Sequence, residues 1–128
     1  MIKSFFSNIK ASIIISPIIR SYIIINEDLK ELEGYIRLKA VLLNYDILEI
    51  FLYVKMNGKL EIDKYSVHWQ NMDGELRKRW DNAPHHREIK TFPSHIHVAK
   101  EIHPHKDFDI FEIIILIEED ILLDYRFF

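Results

Sequence analysis

From Gly34 to Asp81 the chain alternates apolar and polar residues in runs separated by turn signals, among them Asn57-Gly58 and Asp73-Gly74. Alternation with a period of two is the mark of a half-buried strand, because successive side chains point to opposite faces of a sheet. Asn-Gly and Asp-Gly tolerate positive φ and turn a strand back on itself in a two-residue hairpin loop. A chain that repeats this sequence of events folds into an antiparallel meander.

The individual elements follow from the same pattern. Gly34 to Leu43 sets Ile36, Leu38, Ala40 and Leu42 against Tyr35, Arg37 and Lys39, and Ile47 to Lys55 continues after the turn Asn44-Tyr45-Asp46. Leu60 and Ile62 share one parity while Tyr65, Val67 and Trp69 have the other, so one long strand is expected to carry a bulge near Asp63-Lys64. β-Branched residues from Ile18 to Asn26 predict a further strand, closed by the polar break Asn26-Glu27-Asp28. Ile2, Phe5, Phe6, Ile9 and Ile13 recur at helical spacing ahead of Ser16-Pro17. A second helix is predicted from about Asp109 to Asp124, opened by the Asp109/Glu112 capping box, with Ile110, Ile113, Ile114, Ile117 and Ile121 on one face. The expected fold class is α+β: an antiparallel β-meander of about five strands, an irregular His/Pro-rich segment, and N-terminal and C-terminal helices packed on the sheet.

A length of 128 residues leaves room for one core, so residues 1–128 are read as a single domain. No apolar run approaches the roughly 20 residues that span a bilayer. The opening segment is interrupted by Asn8, Lys10 and Ser12 and lacks a small-residue cleavage site, which argues against a signal peptide. With no cysteine there is neither a disulfide framework nor a thiolate metal site, and the cytoplasm is the default location. A formal charge of -3 supplies no general attraction to nucleic acid, so any phosphate contact has to come from a local patch.

Such a patch is legible. If Asp73-Gly74 is a two-residue loop, Gln70 pairs with Arg77, His68 with Arg79 and Ser66 with Asp81, all on one face, leaving Val67 and Trp80 for the core side. Guanidinium groups are planar, permanently charged donors suited to phosphate. All seven histidines lie between positions 68 and 105, including His85-His86 after the turn Asp81-Asn82-Ala83-Pro84, and His95-x-His97. Imidazole both accepts and donates a proton near neutral pH, so histidines beside arginines are the minimum equipment for metal-free phosphodiester cleavage. The catalytic candidates are His68, His85, His86, His95 and His97. Gln70, Arg77, Arg79, Trp80, Asp81 and Asn82 are the substrate-binding candidates. No cofactor is expected on this reading.

Three other readings use the same residues. His95 and His97 with His85 or His86 could instead ligate zinc or another divalent metal. The polar face could bind a nucleotide or nucleic acid without cutting it, using the arginines and an exposed Trp. The histidines could also be structural, with the protein acting only through a strand edge that pairs with another chain.

The ordered string Tyr65-x-x-His68-Trp69-Gln70, Asp73-Gly74, Arg79-Trp80-Asp81-Asn82-Ala83-Pro84-His85-His86 and Thr91-Phe92-Pro93-x-His95-x-His97 resembles the TumE-like proteins, small toxins of prokaryotic toxin–antitoxin pairs. The resemblance covers about residues 20 to 105 and is most specific in its second half. It implies a toxin acting on RNA, as a ribonuclease on the His reading, and an antitoxin partner of the helix-turn-helix type. Self-association stays open. Ser94 stands where the pattern leads one to expect another histidine beside His95.

Overall fold

The structure, a computed structural model, describes residues 1–83, 94–98, 101–104 and 108–126. The first helix, α1 (Ile2–Ile15), buries Ile2, Phe6, Ile9 and Ile13, the stripe that its spacing predicts. Ser16 leaves the helix in extended geometry, as the residue before a proline must. Seven strands follow among the described residues: β1 (Ile19–Leu29), β2 (Glu33–Leu42), β3 (Ile47–Met56), β4 (Leu60–Gln70), β5 (Leu76–Asp81), β6 (His95–Val98) and β7 (Glu101–Pro104). They form one sheet in chain order, every neighbouring pair antiparallel. The second helix, α2 (Ile110–Arg126), closes the described chain.

The α+β class, the meander and the two flanking helices agree with the sequence reading, with more strands than the five expected. The extra pair, β6 and β7, comes from the segment read as irregular. Their four-residue runs are too short for an alternation to stand out, and it is pairing with β5 that makes them strands. β1 also runs through the predicted break, with Asn26, Glu27 and Asp28 opposite Arg37, Ile36 and Tyr35. An edge strand exposed along most of its length accommodates polar side chains without loss, so the ladder continues.

Both helices pack on the same face of the sheet. One continuous core joins the α1 stripe, Ile36, Leu38, Leu48, Ile50, Leu52, Val67, Trp69 and Trp80 of the strands, and Ile110, Ile113, Ile114, Ile117 and Ile121 of α2. Isoleucine is a mediocre helix former, so α2 depends on burying this stripe, each side chain contributing about 1.5–3 kcal/mol. Asp109 caps it by accepting the Phe111 N–H at 2.9 Å. Ser16 Oγ donates to Glu118 Oε1 at 2.8 Å, which ties the end of α1 to α2. At Gly34 the first turn of α1 approaches the sheet so closely that a Cβ would lie 2.9 Å from the Asp28 carbonyl oxygen and 3.2 Å from Ile2 Cγ2.

The bulge expected near Asp63-Lys64 is present: Tyr53 pairs with Lys64 and Val54 with Ile62, leaving Asp63 as the extra residue. The β4–β5 turn differs from expectation. Asn71 Oδ1 accepts the N–H groups of Asp73 and Glu75, both at 2.9 Å, and Gly74 takes φ +87°, giving a three-residue loop in place of a two-residue one. Gln70 therefore pairs with Leu76, and the slip between Trp69 and Gln70 leaves Arg77 as the extra residue, while Ser66–Asp81 and His68–Arg79 pair as expected. Among the described residues no helix is long and apolar enough to cross a membrane.

Candidate functional site

Because the helices occupy one face, every second residue of the central strands points to the other. The registers line these residues up in two rows running from β2 to β6: Arg37, Phe51, Ser66, Asp81, His95, and beside it Lys39, Glu49, His68, Arg79, His97. Arg79 is thus flanked by a histidine on each neighbouring strand. Arg37, Glu49 and Phe51 on one side and His68, Gln70 and Arg79 on the other enclose a polar cavity of about 470 Å³, with Ser66 between them.

Asp81 organises the far end of both rows. It is 2% exposed and accepts a hydrogen bond from Arg79 Nε at 2.9 Å and another from the Ala83 N–H at 3.0 Å. His97 Nε2 lies 3.3 Å from Asp81 Oδ2. His95 Nε2 lies 2.8 Å from Asp81 Oδ1, off the line of a straight hydrogen bond but close enough for an ion pair when protonated. The two imidazoles meet edge to face with centroids 4.6 Å apart. His95 is fully buried, whereas His97 and Arg79 are partly open.

At the other side of Arg79, Nη1 approaches His68 Nδ1 at 3.1 Å, and His68 Nε2 lies 3.0 Å from Gln70 Oε1. A guanidinium can only donate, so Nδ1 is the accepting nitrogen and Nε2 carries the proton directed at Gln70. An anion drawing Arg79 toward itself would leave the Nδ1 lone pair open to a substrate hydroxyl.

Of the predicted site residues, His68, Gln70, Arg79, Asp81, His95 and His97 come together on this face. Two others do not belong to it. Trp80 is 2% exposed and packs in the core, so it offers no surface to a substrate. Arg77, displaced by the slip after Trp69, pairs with buried Asp46, whose Oδ2 also accepts the Trp69 Nε1–H at 2.8 Å. Asn82 borders this face beside Asp81 and also braces it: its Oδ1 accepts the Tyr65 N–H and its Nδ2 donates to the Asp63 carbonyl, both at 3.0 Å, which fastens the end of β5 to the bulge. His85 and His86 lie outside the described residues.

Arg37, Glu49 and Phe51 are site residues that the sequence reading missed, while Ser66 lies on this face as the hairpin pairing expects. Their signal was there: the alternation of β2 and β3, carried through the expected bulge, puts Phe51 opposite Ser66 and Glu49 opposite His68. On the core side Tyr65 stacks on Phe108 with centroids 3.7 Å apart. Burial pushes its phenol above the ordinary 10.0, with a hydrogen bond to Ser94 opposing the shift and Asp81 reinforcing it.

The arrangement can bind an anion at Arg79, transfer protons on either side of it, or gather a cation, since ligand atoms of Asp81, His95 and His97 all lie within 4.8 Å of one another. The last of these uses Asp81 in the place that the sequence reading gave to His85 or His86.

No curated protein and no solved structure matches the chain. A family does: the one described as Toxin TumE matches residues 9–122, a span that takes in every strand of the sheet and the whole histidine-bearing face. The chain therefore belongs to the TumE toxin family.

Proposed function

We propose that this toxin acts on RNA, cleaving the phosphodiester bond by histidine acid/base chemistry without a metal. The observation that carries the reading is the row His68–Arg79–His97, in which one cation suited to a phosphoryl group stands between two imidazoles. A phosphate that engages Arg79 releases His68 Nδ1, which takes the proton of the 2′-hydroxyl as that oxygen attacks phosphorus. His97, whose Nε2 lies 3.3 Å from Asp81 Oδ2, donates a proton to the departing 5′-oxygen. The products are a 2′,3′-cyclic phosphate and a 5′-hydroxyl, and Arg79 stabilises the charge on the phosphoryl oxygens between them. His95, buried against Asp81, acts as a positioning residue.

The membership of a toxin family implies an antitoxin partner, for which a helix-turn-helix protein is the proposed type, and an RNA target places the reaction in the cytoplasm. The test is incubation of purified, untagged protein with varied RNAs in the presence of a chelator. Cleavage to cyclic-phosphate ends, lost by about 100-fold or more in His68→Ala and His97→Ala, is the expected result. Intact RNA under all conditions, with growth inhibition unaffected by either substitution, refutes it.

A second reading rests on the convergence of Asp81, His95 and His97. Two imidazoles and a carboxylate suit zinc or a similar divalent ion. Against it, Arg79 already places a positive charge on Asp81 Oδ2. Zinc titration of the chelator-treated protein separates the two: stoichiometric binding abolished by His97→Ala favours the metal.

A further inference from the structure

Beside the cavity at Arg37 and Gln70 lies a second one of about 440 Å³, bordered by Lys64, Asp81 and Asn82. The two share Phe51, Ser66 and Arg79 as common walls. They are therefore halves of one trough that lies along the strands on either side of Ser66, with an aromatic ring and a guanidinium where they meet.

Its contents are not those of a general polyanion track. The cations Arg37 and Lys64 share the trough with acidic groups: Arg37 Nη1 donates to Glu49 Oε1 at 2.8 Å, and Lys64 lines the second cavity together with Asp63, whose carboxylate lies 3.8 Å from Lys55 Nζ. Among the described residues Arg79 is the cation common to both halves; its Nε is held by Asp81 Oδ2 and its guanidinium stands where the cavities meet, with room for one phosphate there and an uncharged group on each side. Phe51 is half-buried, with the Arg37 guanidinium 4.5 Å from its ring centroid, and it forms part of the boundary between the cavities. Flat groups pack on such a ring irrespective of their identity, since every base has a π face.

From this, and resting on the RNA reading above, we infer that the substrate is single-stranded RNA bound as a dinucleotide step, its phosphate at Arg79, one base in each cavity and at least one stacked on Phe51. A duplex keeps its base faces covered and leaves Phe51 nothing to stack on. Phe51 is in this scheme a binding and specificity-determining residue that touches the base and has no part in proton transfer.

The experiment measures fluorescence anisotropy of the full chain with a 5′-fluorescein-labelled, 2′-O-methyl tetranucleotide and with a hairpin duplex of the same chemistry, at one fixed salt concentration. The 2′-O-methyl group removes the nucleophile, so binding is read without cleavage. The single strand is expected to bind at least tenfold more tightly than the duplex. Phe51→Ala is expected to weaken it by about 5-fold or more, the loss of one stacked base, and Phe51→Trp to retain binding. Urea unfolding of each variant checks that it is folded.

Equal affinity for duplex and single strand, or a folded Phe51→Ala variant that binds like the parent, overturns the inference even if RNA is cleaved. Phe51-dependent single-strand binding by a protein that leaves RNA intact upholds the trough and refutes the cleavage chemistry instead.

Discussion

Asp81→Asn replaces the carboxylate on which Arg79, His95 and His97 converge with an amide of the same shape. The Ala83 N–H can still donate to the remaining oxygen, now 3.0 Å from it. The amide nitrogen, however, turns a donor toward Arg79 Nε–H, so the 2.9 Å bond is lost. A hydrogen bond to a charged group contributes about 1.5–3 kcal/mol, and the lower end applies here because 39% of the Arg79 side chain is exposed and screened. His95 is 1% exposed, so loss of its carboxylate neighbour adds a desolvation cost of about 1–2 kcal/mol. The expected destabilisation is roughly 2–4 kcal/mol, against a total of about 5–15 kcal/mol for a domain. Urea unfolding followed by fluorescence of buried Trp69 and Trp80 measures it, with the slope unchanged if only the native state is affected. The variant should also lose growth inhibition at a temperature where it is still folded. A free energy within about 0.5 kcal/mol of the parent would show that Asp81 does not hold the two rows together.

Arg79→Ala should lower activity by about 100-fold or more, as expected for loss of a charge-stabilising donor, while Arg77→Ala, on the other face, should stay within about threefold in the same growth-inhibition assay. Gly34→Ala should cost about 1–3 kcal/mol in urea unfolding, because the added Cβ meets the Asp28 carbonyl and Ile2. Trp69→Phe should cost about 1–3 kcal/mol by taking a donor from buried Asp46. Tyr65 has a raised phenol pKa, so the folded state holds that proton more tightly than the unfolded one. Its stabilising contribution is complete below pH 10.0 and falls as the pH rises through the folded value. In alkaline denaturation, Tyr65→Phe should flatten this part of the profile, and an unchanged difference from the parent between pH 9 and 12 would count against the assignment.

The architecture was legible wherever an element carried many repeats of its own period. The α1 and α2 stripes, the alternation of β2 and β3, and the parity change that exposes the bulge at Asp63 all reappear in the structure. What failed depended on partners that no short segment encodes. Arg77 changes sides because the Asn71 side chain builds a three-residue loop, and Asp73-Gly74 alone does not reveal that. β6 becomes a strand because β5 offers its edge. The sequence admits Trp80 both on the core side and as a substrate-binding residue, and burial decides for the core. The candidate site was half visible: His68, Arg79 and Asp81 follow from one hairpin, but Phe51 and Glu49 required the next register to be carried through the bulge.

That single extra residue at Asp63 has a consequence for how this chain can diverge. It lets Leu60 and Ile62 share a face with Tyr65, Val67 and Trp69, and so keeps His68 on the open side of the sheet. A one-residue deletion here would be far from conservative, since everything downstream in β4 would have to turn over or the pairing with β3 would have to slide by one place. Point substitutions at Asp63 cost little stability, because Asn82 holds its backbone carbonyl and its carboxylate makes a loose, exposed 3.8 Å ion pair with Lys55. Descendants of this sequence should therefore vary the side chain at that position freely while holding the number of residues between Gly58 and His68 constant.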